Sequence, residues 1–178
     1  MTSAPPHGAL EVEESTAHHW VAWVDDLVIV FVYEGSDDDV AHVAAATRVV
    51  ERLHRKLRLP LRMLFVIPEM LGKAPTARVR AAIMESGRRL HGTIARVSLA
   101  VLGTGFGPAL HRSAATGVLT LLRPQARWKI HASVHEALRF LLDEGYAGHR
   151  AIAARCDEEL LAHAERKRPA SMQQASSR

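Results

Sequence analysis

The chain carries a single cysteine, Cys156, among its 178 residues. One thiol cannot build an internal disulfide, a CxxC redox pair or a thiolate zinc cluster, so a reducing compartment, the cytoplasm, is the expected location. Aromatic residues are scarce at 5%, which leaves few rings on which bases could stack. With no recognisable nucleic-acid-binding module either, nucleic acid is disfavoured as a partner. Apolar runs are short. The stretch Leu27 to Tyr33 falls far below the roughly 20 apolar residues that a membrane-spanning helix needs. The opening MTSAPPHGALEVEESTA has neither the basic nor the apolar region of a secretion signal. Lysine and arginine are missing altogether from the first 39 residues.

What is present is an ordinary globular composition, 48% hydrophobic and 24% charged, enough for one buried core with residues left over. The charge is lopsided. Nine acids lie at or before Asp39, and all 23 Lys and Arg lie beyond it against ten acids, a net +13. Residues 1–17 are polar, proline-bearing and unpatterned, which predicts a disordered leader, and its acids should be drawn weakly to the basic helices that follow.

From residue 18 onward the pattern is regular. HHWVAWV and LVIVFVYEG read as two strands joined by an Asp25-Asp26 turn. Ser36 and three following aspartates suit the start of a helix, whose apolar face is Val40, Val43, Ala44, Thr47, Val50 and Leu57 and which Pro60 stops. LRMLFVIPE is a strand. The loop MLGKAP leads to a helix from Thr76 to about His91, with Val79, Ile83, Gly87 and Leu90 inward. TIARVSLAVLG is a strand, Pro108 opens a helix to about Leu122, and RWKIHAS is a further strand. Ser133 and Glu136 form a capping box for a helix ending near Gly145. Residues 148–168 read as a surface helix and 169–178 as a disordered polar tail. The expectation is one α/β domain over 18–147 with a five-stranded mixed sheet, in the order ββαβαβαβα, plus an extra C-terminal helix.

This order, and above all ARVSLAVLGTGFGPALHRSAATGVLTLLRPQARWKIHASVHEALRFLLDEG, resembles the STAS superfamily, the anti-sigma-factor-antagonist fold, in the broader form that grades into CRAL-TRIO-like lipid-binding domains. The resemblance implies a regulatory or scaffolding module that binds a protein, or else a binder of a lipid or anionic metabolite. In STAS antagonists the loop after the strand matched by RMLFVIPE carries a phospho-acceptor Asp-Ser-Ser/Thr-Gly. Here it reads MLGKAPTA, without that motif, and Lys73 and Thr76 are the residues left there for partner contact or phosphorylation.

Two further features bear on chemistry. Gly103, Gly105 and Gly107, followed by His111 and Arg112, form a strand-to-helix turn whose amides and guanidinium could hold an anion. The dinucleotide pattern is excluded because Pro108 stands at its third glycine, and a Walker loop because no Gly-Lys-Ser/Thr follows. Arg48, Arg52, Arg55, Lys56 and Arg58, with Arg78, Arg80, Arg88 and Arg89, offer a basic face to an acidic protein or anionic lipid. No catalytic constellation is legible. Cys156 lies among Asp157, Glu158 and Glu159, which raise a thiol pKa, and His131 and His135 fall on a strand and a helix rather than on one helix face. No enzyme activity, metal or cofactor is implied, and a homodimer is compatible with the pattern.

Overall fold

The computed structural model describes residues 9–33, 40–68, 76–104, 108–109, 112–113, 116, 127–142, 146 and 148–166. Among these residues six strands lie in one sheet in sequence order: β1 (Glu11–Ser15), β2 (His19–Val24), β3 (Leu27–Val32), β4 (Leu61–Ile67), β5 (Ile94–Val101) and β6 (Arg127–His131). β1 to β3 form antiparallel pairs, and β3 to β6 run parallel. The helices are α1 (Ala41–Leu57), α2 (Ala77–Arg89), α3 (Val134–Leu141) and α4 (His149–Arg166). The expected α/β class and mixed sheet are therefore present, with six strands instead of five. The extra strand is β1, drawn from residues read as leader.

β3 (LVIVFV) is a continuous apolar run because both faces of the sheet are covered there, whereas β6 (RWKIH) alternates, with Arg127 and Lys129 exposed. On one face Val21, Val28, Val30, Leu61, Met63 and Val97 pack against Ala45, Ala46, Val49, Val50 and Leu53 of α1. On the other, Trp20, Ile29, Phe31, Leu64, Val66 and Ala100 meet Val134, Ala137, Leu138 and Leu141 of α3 and Ile152, Ala153 and Cys156 of α4. α4 thus belongs to the core, and its buried face is hard to read in the sequence because it includes the polar Glu159 and His163 while Leu161 points outward.

The caps follow the sequence in two helices and not in a third. Ser133 Oγ accepts the Glu136 amide at 3.2 Å, and the Glu136 carboxylate accepts from Ala132 N–H at 3.3 Å. Thr76 Oγ1 accepts the Val79 amide at 3.3 Å and starts α2. α1 begins after Val40 with no side-chain cap, and Ser36 lies outside the described residues. Pro108, Ala109, Arg112, Ser113 and Thr116 are helical, and the rest of the helix expected to about Leu122 is outside them.

Candidate functional site

The carboxyl rim of the parallel strands gathers the predicted site residues that are described. β5 ends at Val101, and Gly103 follows with φ +102°, where an added Cβ would lie 3.1 Å from Pro108 Cγ. Only glycine fits that backbone without strain. Arg112, read as an anion holder, turns its Nη1 onto the Val101 carbonyl at 3.0 Å and the Gly103 carbonyl at 3.3 Å. The guanidinium thus ties the first turns of its helix to the end of β5. Gly105, Gly107, His111 and Lys73 lie outside the described residues. Thr76 stands at the same rim as the cap of α2, its hydroxyl on the Val79 amide.

A buried polar cluster that sequence reasoning missed closes this rim beyond β3. Tyr33 Oη donates to Glu159 Oε1 at 2.5 Å, Arg166 Nη2 donates to the same oxygen at 2.9 Å, and the His163 ring stacks on Tyr33 with centroids 4.1 Å apart. Burial, together with the Glu159 carboxylate, pushes the Tyr33 phenol well above its ordinary range. The pairing spans 126 residues, so no local pattern could disclose it. The Cys156 thiol is pushed up to about 12, first by burial and then by Asp157. It is a buried side chain packed into the core.

At the opposite rim Arg62 pairs with Asp26 and donates to the Leu141 carbonyl at 3.1 Å. Arg96 reaches the Phe140 and Leu141 carbonyls at 3.5 Å. Two cations therefore meet the unpaired carbonyls and negative dipole end of α3. Tyr146 Oη donates to Asp25 at 2.5 Å, and its phenol is pushed up to about 12 by burial and that carboxylate. Asp26, Pro60, Arg62, Ala95 and Arg96 line a recess of about 230 Å³ here.

α2 is tied chiefly to α1. Thr47 Oγ1 and Ser86 Oγ share a hydrogen bond of 2.7 Å, and Arg89 pairs with Glu51 at 2.6 Å. Val79 is its buried residue, while Ile83 and Met84 are 42% and 50% exposed. Ile83 and Gly87, expected inward, face out because α2 leans on α1 instead of lying flat on the sheet. Four of the nine cations of the basic face are ion-paired within the chain among the described residues: Arg48 with Glu14, Arg52 with Glu13, Arg88 with Glu85 and Arg89 with Glu51.

Among the described residues no group of three or more His, Cys, Asp or Glu could hold a metal ion. None of the described helices is long and apolar enough to cross a membrane. No protein-family profile matches the chain, and no curated protein does. Among solved structures it is similar to an uncharacterized protein from the DUF3478 family with a SpoIIAA-like fold from Shewanella loihica PV-4. Identity is 14% and the TM-score 0.44, over 80% of this chain and 100% of that one.

Proposed function

We propose that this chain is a non-enzymatic regulatory or scaffolding module that binds a protein partner through α2. The observation that carries the reading is the outward pair Ile83 and Met84 on a helix whose remaining charge is mostly positive, with Arg78, Arg80, Arg88 and Arg89 against Glu85. Two large exposed apolar side chains at successive positions of one arginine-rich helix match a partner surface that is apolar at its centre and acidic at its rim. Away from α2, Tyr33, Glu159 and Arg112 bond to groups of the chain itself, which supports the same reading. The test is affinity capture with the full-length chain and with an Ile83→Asp/Met84→Asp variant. Both residues are exposed, so the fold should survive. A protein retained by wild type and lost by the variant is the expected result, and identical capture by both would sink the reading.

The second reading, an anionic small-molecule binder, is favoured by the recess with Arg62 and Arg96. Its volume of about 230 Å³ is below the roughly 300–1,000 Å³ of most ligand pockets, and its guanidiniums already serve α3. A native mass spectrum showing a retained small molecule would move it ahead.

A further inference from the structure

Beyond its main-chain pairing with β2, β1 is held less by burial than by charge. Four of its five residues are exposed and Glu14 is half-buried. Val12 pairs with Ala22 and Glu14 with Val21, so Glu13 is an extra residue, a bulge. A bulge turns consecutive side chains toward one side. Here that side carries α1. Glu13 takes Arg52 with both oxygens, at 2.9 and 2.6 Å. Glu14 takes Arg48 with one oxygen and His19 with the other, both at 3.0 Å. One turn further along α1, Lys56 lies over the Trp23 ring at 5.4 Å, and Trp23 is the cross-strand partner of Glu11. Arg48, Arg52 and Lys56 stand four residues apart, one above another on a helix face. They form a row of three cations beside a strand with three acids.

We propose that the outer edge of β2, flanked by the row Arg48, Arg52 and Lys56, is a binding site for an acidic extended segment of a partner protein, and that β1 is its built-in occupant. The edge offers main-chain hydrogen bonds to any strand, and the cation row selects a strand with acids at the spacing Glu-x-Glu-Glu. β1 is displaceable because it buries little and its two arginine pairs are exposed, Arg48 and Arg52 being 63% and 46% accessible, while only the Glu14 contact to His19 reaches a buried side chain. Exposed pairs of this kind hold weakly and are screened by salt. This surface is separate from the outward face of α2, so the two readings stand or fall independently.

The experiment uses the full chain and a fluorescent peptide with the sequence of residues 9–17. In a Glu13→Lys/Glu14→Lys variant the resident strand is repelled by Arg48 and Arg52, so the site should open. The variant should bind the peptide about tenfold or more tighter than wild type at low salt, as the loss of several exposed pairs implies. Adding Arg48→Ala and Arg52→Ala should abolish the gain. Equal peptide binding by wild type and a variant with native near-ultraviolet dichroism would overturn the proposal. Should the variant misfold, amide exchange on wild type decides. β1 amides should exchange faster as salt rises from about 0.1 to about 1 M, over which the screening length falls from about 10 to about 3 Å. Salt-independent protection equal to that of β3 would refute a displaceable β1.

Discussion

Two glycines answer the same substitution with opposite signs. Gly103 sits at φ +102° with Pro108 Cγ 3.1 Å from the place of a Cβ, whereas Gly87, inside α2, would meet nothing within 4 Å. Gly103→Ala should therefore lose about 1–3 kcal/mol through backbone strain and the clash. Gly87→Ala should gain about 0.5–1 kcal/mol by lowering the entropy of the unfolded chain in favour of helix. Urea unfolding of both proteins checks the pair, and equal signs would contradict the geometry. His131 supplies a pH dependence. Burial first, then Lys129, lowers its pKa, with Glu136 opposing, and its Nε2 is buried without a hydrogen-bond partner. The unfolded chain then binds a proton near pH 6.5 that the folded chain refuses. Stability should fall as pH drops below about 6.5, toward the lower folded value. His131→Gln should lose less melting temperature than wild type between pH 7.5 and 5.5.

At the scale of the element, α4 is fastened by one buried carboxylate. Glu159 is 7% exposed and accepts from both Tyr33 and Arg166. Tyr33→Phe removes one donor and leaves the carboxylate with Arg166, at a cost of about 1–3 kcal/mol. Glu159→Leu leaves the Tyr33 hydroxyl buried without its acceptor and should cost at least as much. Thermal melts of the two would show it, and a silent Tyr33→Phe would mean that apolar packing alone holds the helix. The elements also mark where sequence stops being informative. The hairpin at Asp25-Asp26, the parallel strands, the Thr76 start of α2 and the Ser133 capping box were legible because each is written in neighbouring residues. β1 was not, since EVEES has one exposed valine among acids, and its partners Arg48 and Arg52 lie 34 and 39 residues away. Ile83 and Gly87 were misplaced because helical spacing records a face without saying what that face meets. The glycine turn was legible as a turn, but the target of Arg112, two carbonyls across it, was not.

At the scale of the molecule, β1 and β6 are the outer strands of the sheet among the described residues, and the charge they carry bears on association. An open edge is a template for another strand, and charge on the edge is the usual defence. β1 presents Glu11, Glu13 and Glu14, and β6 presents Arg127 and Lys129 with both exposed. Opposite signs on the two edges would invite head-to-tail growth if they met. The register prevents that, because Glu13 and Glu14 face α1 while Arg127 and Lys129 lie with Arg96 and Ser98 on the face of α3. A continuous sheet would therefore set acids against Trp128 and Ile130. The basic edge also has an internal cost. Arg62, Arg96 and Arg127 are direct cross-strand neighbours on β4, β5 and β6, and like charges so placed repel. Asp26 and the α3 carbonyls compensate the first two. No ion pair to Arg127 is formed among the described residues. Replacing Arg127 and Lys129 by valine should accordingly act in two directions at once. The folded chain should unfold at slightly higher denaturant, as repulsion along the arginine row falls and β propensity rises. The same variant should associate more than wild type at equal concentration in light scattering, because its edge has lost its charge. Greater stability with unchanged association would leave the edge charges without a protective role, and lower stability would show that Arg127 is favourably paired in solution.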